Sequence, residues 1–251
     1  MNEITSTGVL SAFVVFCRVG GCLMIMPGFS YGLIPVRVRL FVAFAVVLAL
    51  LGVVPVDRIA TLETVDVGEL LRLIAVETLV GVFIGLMGRM FFMMLQMILI
   101  AMVTAIGLGG LPGTMPDDTE MLPALATLIS LAALTTLFVT DMHWELLKGI
   151  AESYRAIPLG IGLSPAVALA SITDQMTDTF LLVLRIGSPF IVYSIIVNFA
   201  VGLANKLVPQ IPVYFITTPF VIAGGLMLLY LTIDEFLLNF IDGFSRWAFG
   251  G

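Results

Sequence analysis

Charge is what this sequence has least of. Of its 251 residues only 11% are Asp, Glu, Lys or Arg, against roughly 25% in ordinary soluble domains. A chain so poor in charge cannot cover a water-facing exterior, so most of its surface must meet lipid or other apolar subunits. Histidine is reduced to one residue, His143. A Gly-x-x-x-x-Gly-Lys-Ser/Thr phosphate loop is missing, as is any His/Cys cluster with metal-ligand spacing. ATPase, hydrolase and metalloenzyme readings therefore have no residues to stand on. Cysteine is limited to Cys17 and Cys22; five residues apart, they do not share a helix face, so neither a disulfide nor a metal pair is expected. Positive charge is scarce as well. The formal net charge of −6 excludes a basic nucleic-acid surface. His143, beside Asp141 and Trp144, is expected at a helix end in a local structural role.

What the chain has instead is long apolar runs. Hydrophobic residues make up 60% of it, and a bilayer-spanning helix needs roughly 17–25 apolar residues. Such runs cover about residues 9–27, 38–56, 121–139, 179–203 and 213–231. The N-terminus, with Glu3 ahead of the first run and Arg18 inside it, does not read as a cleavable signal. A further run, residues 74–106, is too long for a simple span: as one helix it would reach about 50 Å, beyond a hydrocarbon core of roughly 30 Å. One tilted, protruding helix and a two-helix hairpin both remain open. Residues 141–157 are amphipathic, with Glu145, Lys148, Glu152 and Arg155 three and four apart. Residues 164–178 are weakly helical, and 232–251 form an amphipathic tail. The reading is an all-α integral membrane protein of about six apolar helical segments, in a single membrane domain over residues 1–251.

Four charges interrupt the apolar runs: Arg18, Glu77, Arg89 and Arg185, joined by the polar Gln96 and Asn198. A charge at mid-bilayer costs about 2.5–3.5 kcal/mol on insertion scales, so it normally faces a partner or water. An inter-subunit contact or aqueous path and a helix-packing pair inside the chain weigh equally. Glu77 and Arg89 cannot pair within one helix, because twelve residues separate them by about 18 Å. Met87, Met90, Met94 and Met97 share a helix face; plain packing is favoured over a deformable cargo surface. The Gly- and Pro-rich stretch 107–120 must be a loop. An exposed connection or a re-entrant plug would each suit it.

Several stretches together resemble the R component of the flagellar type III export gate, the FliR family, which has injectisome counterparts. They are Arg18-Val-Gly-Gly, Pro27-Gly-Phe and Ile34-Pro-Val-Arg-Val-Arg39; Asp141-Met-His143 and Glu152-Ser-Tyr-Arg-Ala-Ile-Pro-Leu-Gly160; then Arg185-Ile-Gly-Ser-Pro189, Asn198-Phe-Ala-Val-Gly-Leu203 and Lys206-Leu-Val-Pro-Gln-Ile-Pro-Val-Tyr214. Their order and spacing carry the likeness over nearly the whole length. The resemblance implies bent helical hairpins in a hetero-oligomeric helical pore assembly with P and Q subunits. The A and B membrane subunits would be further partners, and unfolded flagellar proteins the cargo. It implies a multi-pass protein of the bacterial inner membrane, in the flagellar basal body, with no enzymatic role and no cofactor. It also makes the loop a pore plug, with Gly107, Leu108, Gly109, Gly110, Leu111, Gly113 and Met115 as its working residues. Arg18, Arg185, Pro209 and Gln210 match family positions as inter-helix or inter-subunit contacts. An injectisome gate subunit is the nearest alternative. A stand-alone small-molecule transporter is a more distant one, since no internal symmetry of two related halves is visible.

Overall fold

The computed structural model describes residues 2–29, 34–52, 66–109 and 123–250. These form seven helices: α1 (Asn2–Ile25), α2 (Val36–Leu50), α3 (Val67–Ala105), α4 (Ala124–Val139), α5 (Met142–Ala156), α6 (Pro165–Leu207) and α7 (Val213–Gly250). Among the described residues there is no strand. Four helices, α1, α3, α6 and α7, are long and apolar enough to cross a membrane. The chain is an all-α membrane protein.

The 74–106 run is not a hairpin. All of it but Ile106 lies inside one unbroken helix of 39 residues, about 58 Å long. Its end has a local cause at Gly107, which adopts a left-handed φ of 83°. The Gly107 amide donates to the Thr104 carbonyl and the Leu108 amide to the Val103 carbonyl, both at 3.0 Å. This is the Schellman arrangement, in which a residue without Cβ reverses the chain and satisfies the last free carbonyls.

At the C-terminal end, segments of different hydropathy fuse. The weakly helical 164–178 stretch and the apolar run after it are one helix of 43 residues. The apolar 213–231 run and the amphipathic tail are another of 38. Each contains a proline, Pro189 and Pro219. Proline at 189 cannot donate to the Arg185 carbonyl; the Ser188 hydroxyl donates to that oxygen instead, at 2.8 Å, so the helix runs through.

Two compact units divide the described residues. One gathers those within Met1–Phe92, Asp141–Met176 and Ala248–Gly251; the other takes Met93–Thr140 and Thr177–Trp247. In the first, α1 packs on α2, and the core holds Val14, Val15, Val19, Leu23, Ala43, Val47, Val80 and Ile150. The second is built on close approaches at glycine. A Cβ on Gly187 would overlap Ile98, one on Gly225 would overlap Ile106, and one on Gly243 would overlap Leu182. Tyr193 Oη donates to the Val221 carbonyl at 2.7 Å, which ties α6 to α7.

Candidate functional site: a buried ion pair and an uncovered hairpin

Two of the four charges in the apolar runs find each other. Gly81 and Gly85 stand one turn apart on α3, against α1. A Cβ on Gly81 would overlap the Arg18 carbonyl, and one on Gly21 of α1 would lie 2.9 Å from the Thr78 carbonyl. Small residues on both sides let the backbones touch, as in tightly packed membrane helices. That contact sets the Arg18 side chain against Glu77, one turn of α3 before Gly81. Arg18 Nε donates to Glu77 Oε2 at 2.7 Å and Nη2 to Oε1 at 3.2 Å. Both side chains have no solvent exposure at all.

Such a pair is tolerable only if the remaining polar atoms are also met. They are. Arg18 Nη2 donates to the Ile157 carbonyl at 3.0 Å and Nη1 to Ser153 Oγ at 3.3 Å. The guanidinium carbon sits 4.0 Å from the centre of the Tyr154 ring, a cation–π contact. Glu77 Oε1 also accepts from the Gly160 amide at 3.0 Å, and Tyr154 Oη donates to the Val15 carbonyl at 3.4 Å. Gly160 has a left-handed φ of 79°, so the turn that aims its amide at Glu77 favours glycine. The cluster therefore clamps α1, α3, α5 and the connector after α5 together. Nothing in it is left free to react; it positions helices. Both Arg18 and the 152–160 stretch carried the family likeness, and here they meet. Sequence reading missed Ser153, Tyr154, Ile157 and Gly160. A buried guanidinium with five N–H groups needs several acceptors, yet nothing local said which ones.

The other singled-out charges are not brought together. Arg89 on α3 and Arg185 on α6 are both exposed, and neither belongs to any of the four ion pairs among the described residues, Arg18–Glu77, Arg72–Glu69, Lys148–Glu145 and Arg246–Asp242. Asn198 is exposed and self-satisfied, its Nδ2 donating to the Ser194 carbonyl at 2.8 Å and to Ser194 Oγ at 3.1 Å. Pro209 and Gln210 are exposed in the turn between α6 and α7. Of the loop residues, Gly107, Leu108 and Gly109 close α3, with Leu108 half-buried. Gly110, Leu111, Gly113 and Met115 lie outside the described residues. The methionine face divides: Met87 is buried, Met90 and Met94 are half-buried, and Met97 is exposed. His143 lies beside Trp144, ring centres 6.0 Å apart, just after Asp141, whose φ of 58° breaks the chain between α4 and α5.

Beyond the cluster, the largest feature is uncovered apolar surface. Phe199, Leu207, Phe215, Phe220 and Tyr230 are each at least 73% exposed, far more aromatic and aliphatic surface than a water-facing helix hairpin carries.

Comparison with known proteins bears on the whole chain. The family model described as bacterial export proteins, family 1, matches residues 9–247. The flagellar biosynthetic protein FliR of Caulobacter vibrioides is 30% identical over 96% of this chain and 96% of its own. That of Aquifex aeolicus is 28% identical over 98% and 94%, and that of Bacillus subtilis 24% identical over 98% and 94%.

Proposed function

The chain belongs to the bacterial export proteins, family 1, and from that membership we propose that it is the R subunit of the flagellar type III protein export gate. In this role it is not an enzyme. It joins P and Q subunits around a closed passage in the bacterial inner membrane, in the flagellar basal body. The A and B membrane subunits complete the apparatus, and unfolded flagellar proteins are its cargo. The flagellar names of its relatives favour this over an injectisome gate.

The observation that carries the proposal is a family match from residue 9 to 247 on a chain whose long helices leave their apolar faces bare. Such helices gain stability only when lipid or other subunits cover them. The buried Arg18–Glu77 cluster supplies the rigid part, holding helices in place while neighbours assemble on them. Arg89, charged and unpaired on α3, is the contact of this chain with a carboxylate of a neighbouring subunit. The loop that begins at Gly107 is the plug of the closed passage, and its glycines permit displacement when cargo passes.

Co-expression with the P and Q subunits of the same bacterium, followed by detergent extraction, tests the assignment. The three should co-purify, and the chain expressed alone should be poorly recovered. A stable, monodisperse chain that ignores P and Q, and moves a small solute by itself in proteoliposomes, would overturn the proposal in favour of a stand-alone transporter.

A further inference from the structure

Hydropathy marks four helices as possible spans, and it does not say which stretch of each meets lipid. The α6–α7 hairpin carries its own ruler. Arg185 and Lys206 on α6 enclose twenty residues, 186–205, without a charge. Along a helix they stand about 31 Å apart, the thickness of a hydrocarbon core. On α7 the charge-free stretch runs from Val213 to the residue before Asp234, again about 31 Å. We propose that residues 186–205 and 213–233 are the bilayer-embedded part of this chain, with Arg185 at one phosphate level and Lys206 at the other.

Four independent features of the hairpin agree. First, exposure changes character at the Arg185–Asp234 level. Between residues 213 and 233 the large side chains on the outward side of α7, among them Phe215, Ile216, Phe220, Met227, Tyr230 and Leu231, are exposed, and Gly225 is the only residue of the stretch that is buried. From Asp234 onward α7 turns amphipathic: Phe236, Phe240, Ile241 and Phe244 are buried, while Asp234, Glu235, Asn239, Asp242 and Arg246 face outward. That is the pattern of a helix leaving lipid for water.

Second, four polar side chains within the segment are turned back on their own helix. Ser188 donates to Arg185 O, Asn198 to Ser194, Thr217 to Val213 O and Thr218 to Tyr214 O. Hydrocarbon offers no hydrogen bonds, so a lipid-facing group has to be satisfied in this way. Third, Tyr214 and Tyr230, both more than half exposed, stand toward the two ends of the α7 stretch, where the headgroup region favours tyrosine. Fourth, the two cations suit phosphate. Arg185 makes no ion pair among the described residues, and a guanidinium takes phosphate oxygens two at a time; the Lys206 ammonium reaches the other headgroup layer on its flexible stem. Both helices continue as helix past the Arg185 level, so the hairpin stands out of the bilayer at that end.

The test works on the intact protein in its native membranes. Benzoylphenylalanine is placed at Ile195 or Phe199, 64% and 73% exposed, in cells whose phospholipids carry radioactive phosphate. Irradiation should yield a labelled adduct of this chain with lipid. In parallel, single cysteines at Leu181, Val192, Ile195, Phe199 and Leu207, in a background without Cys17 and Cys22, are treated with a charged maleimide in permeabilised cells. Positions 181 and 207 should react about tenfold or more faster than 192, 195 and 199, because a charged reagent is excluded from hydrocarbon. A photo-adduct with another protein would overturn the lipid assignment and show that a partner helix covers this face, leaving the export reading intact. Equal maleimide reactivity along all five positions would overturn it as well, by placing the segment in water.

Discussion

Replacing Glu77 by Gln keeps the shape of the side chain and removes its charge. The effect should be large, because both partners of the Arg18–Glu77 pair have no solvent exposure and no other carboxylate bonds Arg18 among the described residues. The guanidinium would keep the Ser153 hydroxyl and the Ile157 carbonyl, both neutral, and would remain a buried cation. Removing one partner of such a pair costs about 3–5 kcal/mol. For a chain of this size that corresponds to a fall of roughly 6–20 °C in the thermal midpoint, measured on the detergent-extracted protein. The double variant Arg18→Leu with Glu77→Leu removes both charges. It leaves the Ile157 carbonyl and the Gly160 amide short of a partner, at about 1–3 kcal/mol for each group that stays dry, while the Ser153 hydroxyl keeps the Ile150 carbonyl. Leucine side chains recover part of that by packing, so the double variant should be more stable than Glu77→Gln. A single variant within about 2 °C of the parent, or a double variant that falls by the sum of both singles, would refute the account of the cluster as a coupled, desolvated pair.

Three further outcomes follow from other positions. Gly81→Ala drives a methyl group into the Arg18 carbonyl and should destabilise by about 1–3 kcal/mol as α1 and α3 separate, whereas Gly202→Ala meets open space and should gain up to about 1 kcal/mol of helix propensity; equal midpoints for the two would contradict the close crossing. Gly107→Ala forces an L-residue to a φ of 83° and should cost about 1–2 kcal/mol, seen as faster amide exchange at Gly107 and Leu108; unchanged exchange would mean that the Schellman end is not what stops α3. Deleting residues 107–113 should leave co-purification with P and Q intact and make cells leak small solutes; a tight membrane in the deletion strain would remove the plug role.

Much of the fold was legible because hydropathy adds up locally. The apolar runs located α1, α2, α3, α4 and the apolar parts of α6 and α7, and the spacing of Glu145 and Lys148 announced the surface pair of α5, which the structure closes at 2.8 Å. Helix ends were harder to place. The tail after residue 231 read as separate because its hydropathy drops, yet it continues α7, since Phe236, Phe240 and Phe244 give it a buried face and helix propagation costs far less than starting anew. The site was half legible. Arg18 and Glu77 stood out as charges in apolar sequence, but 59 residues separate them, and Arg89 looked as eligible as either.

From the sequence alone came the class of solvent this chain demands: so few charges and so many long apolar stretches leave lipid and other apolar subunits as its surroundings, whatever the detailed fold. Which charges pair and which stay open was settled only when helices distant in the chain came together. Gly21, Gly81 and Gly85 let α1 and α3 touch, and that approach, with the turn at Gly160, gives Arg18 and Glu77 their partners while Arg89 and Arg185 remain outside. Hydropathy is a property of each segment taken singly; a buried ion pair exists only where two backbones come close enough to exclude water, and no segment carries that distance in its own residues.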